Sequence, residues 1–495
     1  MDWFTAPGYW LGRLIFQRAL AGLYLVAFTG AALQFRALIG AHGMLPVPRY
    51  VRYVPFRRAP SLFQLHYGDR FFAVCAWTGA LLAAALAAGA GDRVPLGAAM
   101  AVWALLWVLY LSVVNVGQTW YSFGWESLLL EAGFLAVFLG NARAGPPVLV
   151  LWLLRWVVFR VEFGAGLIKM RGDACWRELT CLYFHHETQP MPGPLSWYFH
   201  HLPKPLHRAE CAANHVTQLV VPVLLFAPQP VASYAAAVIV ATQLWLVLSG
   251  NFAWLNWLTI TLALPAVDFG TFAAGAGAPP EAASRTGPLW YVVLVCAVTA
   301  LVLVLSRHPV ANMISRRQVM NRSFDPLHLV NTYGAFGTVG RIREEVVVEG
   351  TADREPRPDG AWREYEFKGK PGGVHRIPRQ FAPYHLRLDW LMWFAALSPA
   401  YARDWFGPFV ERLLAGDRDT LRLIRRNPFP DAPPRFVRAR LYRYRFTTRR
   451  ERRETGAWWH RTLVREYMPP TRLAAPPGPD GVRAPGRGGP PSERE

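Results

Sequence analysis

Four long stretches of the chain contain no Asp, Glu, Lys or Arg: residues 71–91, 94–125, 211–267 and 286–306. A helix needs about 20 apolar residues to cross the hydrocarbon core of a bilayer, so each stretch holds at least one span. With the apolar runs around them, they predict crossings at 14–35, 71–91, 95–114, 126–141, 146–170, 214–228, 231–250 and 288–306. Residues 254–267 are short for a crossing and read as tilted, re-entrant or a ninth span with their flanks. The polar-aromatic piece 115–126 reads as a short interfacial segment. Arg13 and Arg18 precede the apolar run Ala19–Phe35, which is longer than the apolar core of a signal peptide and has no small-residue cleavage site after it.

The pattern changes after Arg307, where charges recur every few residues and long apolar runs stop. Residues 343–350 and 362–368 read as two strands joined by a turn-rich segment, 385–397 and 413–426 as helices, and 436–446 and 458–467 as a final strand pair. The fold class is therefore a membrane all-α, polytopic helix bundle of about eight or nine spans over 1–306, with a polar loop at 171–213. A smaller soluble α+β domain follows over 307–470. From 471 to 495 Pro, Gly and Arg dominate, and a disordered tail is expected.

Composition fits this division. Charged residues make up 17% of the chain and hydrophobic ones 53%, while soluble proteins carry about 25% charge. The 21 tryptophans suit membrane–water interfaces, where the ring is half dry and its N–H half wet. The net charge of +20 comes mostly from Arg, since Lys occurs only at 169, 204, 368 and 370. Because those Arg residues flank spans or fill the C-terminal third, the partner they predict is an anionic lipid surface, with no nucleic acid. Arg49, Arg52, Arg57 and Arg58 form one such basic loop. The richness in Ala, Arg, Gly and Pro suggests a GC-rich genome and a bacterial source.

Candidate chemistry concentrates between Leu154 and Pro194. The span at 146–170 carries Arg155, Arg160, Glu162 and Lys169, and charges at membrane depth cost roughly 3 kcal/mol each or more unless they pair, line a cavity or work. Arg155, Glu162 and Lys169 are spaced by seven, which puts Glu162 between two cations along one helical stripe. Arg160 points elsewhere, toward Glu131 or Glu126 of the preceding span. The bland alternative is a structural ion-pair network that locks helices together.

The loop that follows holds Asp173, Cys175, Cys181, His185, His186 and Glu187. The C-x5-C spacing is neither a C-x-x-C redox motif nor a zinc knuckle, and a small disulfide loop and two separately packed thiols both remain open. The tetrapeptide YFHH occurs at 183–186 and again at 198–201, with His207 and His215 downstream. No known metal-ligand spacing is present, so no metal, cofactor or catalytic residue is assigned.

Several long motifs carry a family resemblance. They are GLIKMRGDACWRELTCLYFHHETQPMPGP and the residues after it to Arg208, GQTWYSFGWESLLLEAGFLA (117–136), SGNFAWLNWLT (249–259), LVNTYGAFGTVGRIREEVVVEGT (329–351), WREYEFKGKPG (362–372) and APYHLRLDWLMWFAAL (382–397). Together they make the chain resemble the lipase maturation factor family over nearly all of 1–470. The resemblance implies a multi-pass membrane protein that in animals acts in the endoplasmic reticulum, helping secreted homodimeric lipases fold and assemble. It places Cys175 and Cys181 where the family carries cysteines, and it implies that the C-terminal domain engages lipase clients. A bacterial source would put the chain in the cell membrane.

Three functions compete. The first is a non-enzymatic maturation factor for exported lipases or other exported proteins, with Trp390, Trp393 and Phe394, beside Trp405 and Phe406, as the client-facing patch. The second is a membrane oxidoreductase that uses the charged helix and the His/Cys loop for thiol or quinone chemistry. The third is a lipid-handling protein that binds acidic headgroups through the basic loop at 49–58.

Overall fold

The computed structural model describes residues 3–272 and 279–473. Its first nine principal helices are α1 (Trp10–Leu38), α2 (Asp69–Ala87), α3 (Leu96–Val116), α4 (Gly124–Val137), α5 (Val148–Arg171), α6 (Lys204–Leu219), α7 (Val231–Ser249), α8 (Leu255–Ala263) and α9 (Leu289–Leu305). Five helical stretches among the described residues are long and apolar enough to cross a membrane: Pro7–Leu38, Asp69–Ala87, Leu96–Val116, Val231–Ser249 and Leu289–Ile314. Three other crossings expected from hydropathy are reached by shorter helices. α4 has 14 residues, about 21 Å of rise. α6 begins at Lys204, inside the stretch expected as loop 171–213, and stops at Leu219; the chain restarts as a single turn at Val221–Leu224, where Pro222 has no N–H to continue the ladder. α8 has only nine residues before a 3-10 turn. The crossing expected at 146–170 is α5, long enough at 24 residues but interrupted by its own charges.

Contacts sort the inter-helix segments to two ends. At one end, the Ala6 N–H bonds to the Pro146 carbonyl and Val148 to Phe4. Arg13 and Gln17 of α1 donate to the carbonyls of Ala144 and Gly140 at 2.5 and 2.6 Å, and Gln229 donates to Ala266. At the other end, Gln34 near the finish of α1 donates to the His385 carbonyl at 2.8 Å. There too Gln118 reaches Leu45, Asn115 reaches Pro60 and Pro326, and Asn251 reaches Pro192 and Arg379. The loops 39–68, 117–123 and 172–203 and the C-terminal part thus share one end.

The C-terminal part is built on an antiparallel sheet of order β2-β1-β3-β4, with β1 Arg343–Thr351, β2 Arg363–Glu364, β3 Phe436–Phe446 and β4 Trp459–Thr471. β1 is buried on both faces and runs in unbroken register along β3, from Arg343 opposite Tyr444 to Thr351 opposite Phe436. The strand expected at 362–368 shortens to two residues, because the chain leaves β1 and Glu366 bonds to Arg426 instead. The helix expected at 385–397 is α10 (Arg387–Leu397). The one expected at 413–426 is two, α11 (Phe406–Leu414) and α12 (Arg418–Leu423). Gly416 sits between them at φ +66, a left-handed position that suits glycine, and Asp417 caps α12 by accepting from Thr420. One continuous apolar cluster runs from Phe4 of the bundle to Leu441 of the sheet. Of the tail expected from 471, Thr471 closes β4, and 474–495 lies outside the described residues.

Candidate functional site at the junction of bundle and sheet

α4 presents two carboxylates to this end, and both are neutralised. Glu131 pairs with Arg160 of α5, each side chain 1% exposed. The same carboxylate accepts from the backbone N–H and side-chain amide of Asn331, at 3.1 and 3.0 Å, and from Tyr333 Oη at 2.6 Å. Arg160 also donates to the Asn331 carbonyl at 2.6 Å. Segment 331–333, which enters the C-terminal part, therefore closes an ion pair inside the bundle. Glu126 is answered from farther along the chain: Arg387, at the first turn of α10, donates to it at 2.6 Å, and Tyr110 Oη is a second donor. The Arg387 guanidinium also lies 3.5 Å from the centre of the Tyr121 ring and donates to the Trp120 carbonyl.

The stripe Arg155–Glu162–Lys169 is not an ion-pair ladder. Seven residues span about 10 Å along a helix axis, too far for direct pairing, and side-chain amides and a carbonyl from neighbouring segments take the place of the counter-ions. Glu162 accepts from Gln243 of α7 at 2.6 Å, and Gln243 accepts from Asn256 of α8 at 2.9 Å. Lys169 donates to Asn214 and Gln218 of α6 at 2.7 and 2.9 Å. Arg155 donates to the Leu225 carbonyl and lies over the rings of Tyr9 and Trp152. These partners were absent from the sequence reading because they are uncharged. The signal that could have found them is a Gln or Asn inside an apolar run, at 218, 243 and 256.

In the loop after α5, Cys175 and Cys181 form a disulfide with Cα atoms 4.8 Å apart, so the question left open by their spacing is answered. Asp173 accepts from the Cys175 N–H and from Arg341, and the hydrogen bond from Arg341 holds its carboxyl below the usual range. His185 packs between Phe336 and Phe252, and burial pushes its imidazole down to about 3. Glu187 accepts from the Phe446 N–H at 2.6 Å and is pushed up by burial.

The loop is clamped by a residue that sequence reasoning missed. Arg343 of β1 donates to the carbonyls of Glu187, Gln189 and Pro190 at 2.9, 2.5 and 3.1 Å. It also pairs with Glu345, which Lys370 meets at 2.9 Å. Nothing in the local pattern REEVVV marks Arg343 as buried; only its register on a strand covered on both faces does.

Among the expected client-facing aromatics, burial corrects Trp390, and Trp405 and Phe406 beside it. Trp390, Trp405 and Phe406 are 3%, 1% and 6% exposed. Trp390 packs on Phe123 and Trp125 of the bundle, and Trp393 and Phe394 are half-buried beside it. Large aromatic surface at a junction is used to fill the seam. The basic loop stays outside: Arg49, Arg52, Arg57 and Arg58 are exposed around a largely uncovered Tyr53.

These features define a membrane-embedded helix bundle in which the two α4 carboxylates are closed by groups arriving from a C-terminal sheet domain. Two family models match the chain, one described as the lipase maturation factor transmembrane domain over residues 11–274 and one as the lipase maturation factor C-terminal domain over 329–469. Lipase maturation factor 1 of Bos taurus is 42% identical over 94% of this chain and 90% of its own length, and that of Mus musculus 40% over 94% and 88%. Lipase maturation factor 2 of Xenopus tropicalis is 30% identical over 94% of this chain and 83% of its own length. The chain belongs to the lipase maturation factor family. No solved structure matches it significantly. The oxidoreductase reading gains nothing from these relatives, and the disulfide it would use is 2% and 0% exposed at its two cysteines.

Proposed function

We propose that this chain is a membrane-embedded maturation factor that helps exported or secreted lipases reach their active form. The observation that carries the proposal is that likeness to proteins named for this role runs through bundle and sheet alike, over 94% of the chain. The test is co-expression of a secreted lipase with and without the chain in cells lacking their own factor. Activity per unit mass of secreted lipase is expected to rise with the chain, and unchanged specific activity would count against the proposal.

Nine passes fit the contacts best, with α1 to α9 alternating between the two ends. The division into a bundle over 1–306 and a sheet domain over 307–470 is supported by the change of composition after Arg307 and by the two family matches. On this reading the buried ionic groups, Arg155, Arg160, Glu162, Lys169 and Glu131, are scaffold. The loop Asp173–Glu187, held by its disulfide and by Arg343, is the rigid edge beside which a client would be received. Lipid headgroups are expected at the basic loop 49–58.

Two signals disagree about sidedness. The arginines of 49–58 would favour the cytoplasm, whereas the disulfide lies at the same end and persists only where the compartment is oxidising. We give the disulfide more weight, because positive-inside bias is statistical. The sheet end then faces the endoplasmic reticulum lumen, or the outer face of a bacterial cell membrane. Arg450, 88% exposed in the sheet domain, gives the test. An Arg450→Cys variant in sealed cytoplasm-out vesicles should resist an impermeant maleimide until detergent is added; labelling before permeabilisation would reverse the orientation.

A further inference from the structure

Between the loop after α5 and α6 lies a second polar cluster that none of these interactions uses. His186 stands on the short helix Leu182–Thr188, and His207 and Glu210 lie one turn apart on α6. Each brings one ligand-capable atom to a common point, all within 4.8 Å of one another. His186 Nε2 lies 3.9 Å from Glu210 Oε2, and the two imidazole rings are 5.6 Å apart centre to centre. His186 is 1% exposed, and neither of its ring nitrogens has a hydrogen-bond partner. A buried polar atom left unpaired costs about 1–3 kcal/mol, so a ring with both nitrogens unpaired calls for an occupant.

The other two residues are already turned inward by outer partners. His207 Nε2 lies 3.4 Å from the His200 carbonyl. A proton on Nε2 donated there leaves the lone pair on Nδ1, the nitrogen that has no partner. Glu210 Oε1 accepts from Trp245 Nε1 at 2.8 Å, which leaves Oε2 facing His186. Outer hydrogen bonds of this kind fix the tautomer of a ligating histidine and the rotamer of a ligating carboxylate. The nearby trio Asp173, Cys175 and Cys181 offers no comparable set, because both sulfurs are tied up in the disulfide.

We propose that His186, His207 and Glu210 form a zinc-type divalent metal site with a fourth position left for water. Two imidazoles and one carboxylate are a donor set of open tetrahedral zinc sites, with metal–ligand bonds of about 2.0–2.2 Å. Such bonds put neighbouring ligand atoms roughly 3.3 Å apart, so the three residues close by about 1 Å or less onto the ion. The ion would pin the 172–203 loop to α6. The site stands independently of the maturation role.

The full chain, purified in detergent, stripped with EDTA and titrated with zinc chloride, is expected to take up one zinc per chain. Cobalt in its place is expected to show the intense visible bands of a four-coordinate site. His186→Phe and Glu210→Gln should each weaken binding by about 100-fold or more and abolish those bands. Glu210→Gln keeps the side chain's shape, so its circular dichroism and elution should match the unaltered chain and separate ligand loss from misfolding. An unaltered chain that takes up no stoichiometric zinc, or binding that survives in both variants, overturns the site.

Discussion

Arg160 and Glu131 show what one buried charge requires. Each is about 1% exposed, and the carboxylate has donors from Arg160, Asn331 and Tyr333. Removing one member of such a pair leaves the other charge uncompensated, at a cost of about 3–5 kcal/mol, whereas replacing both by apolar groups costs far less. Arg160→Met is therefore expected to lower the unfolding free energy by about 3–5 kcal/mol, and Glu131→Leu/Arg160→Met to recover part of that loss. Thermal melts in detergent check both; a single variant that melts with the unaltered chain would show that the pair carries no stability. His385 gives a pH dependence at the same scale. Burial, reinforced by the Arg387 charge, pushes its imidazole down to about 4, from an ordinary value of about 6.5. Between those two values the unfolded chain holds a proton that the folded chain lacks, so stability is full above about pH 6.5 and is lost as pH falls toward about 4. His385→Gln should flatten that part of the melting-temperature profile.

At the scale of elements, hydropathy located α1, α2, α3, α5, α7 and α9 but not α6, which begins inside the stretch expected as a loop, and not how closely the helices approach. α1 and α4 meet at Gly133, where a Cβ would stand 1.8 Å from Tyr24 Oη, the group that donates to the Leu129 carbonyl. Gly22, on the same helix as Tyr24, has nothing within 4 Å of its Cβ position. Gly133→Ala is expected to cost about 1–3 kcal/mol through overpacking, while Gly22→Ala should be neutral or mildly stabilising. Equal melting temperatures for the two variants would count against this contact as a packing constraint. Elements defined by local pattern were legible: α1, α2 and α3 follow their apolar runs, and α10, β1 and β3 their local composition. Those decided by a remote partner were not. β2 ends where Arg426 takes over the hydrogen bonds of Glu366, and α11 separates from α12 at a glycine that periodicity alone ignores. The stripe of α5 was visible as spacing, yet its amide partners arrive from helices about 50 to 80 residues away.

For the whole molecule, the same remoteness makes bundle and sheet interdependent. Glu126 receives Arg387 from α10, Glu131 receives Asn331 and Tyr333, and the loop at 187–190 receives Arg343. None of these donors belongs to residues 1–306. A chain truncated after Ser306 would retain Arg160 for Glu131 but leave Glu126, 0% exposed in the full chain, with a single neutral donor, Tyr110. A buried carboxylate in that state is strongly destabilising. The truncated bundle is therefore expected to accumulate poorly and to elute as aggregate in detergent. Glu126→Gln placed in the truncated chain should restore part of the monomeric fraction, because an amide needs no counter-ion. The same substitution in the full chain should destabilise it, because it strands the Arg387 guanidinium in the seam. Opposite signs for one substitution in two contexts would identify the Glu126–Arg387 pair as the join between the halves; equal signs would mean that the bundle folds without regard to the sheet.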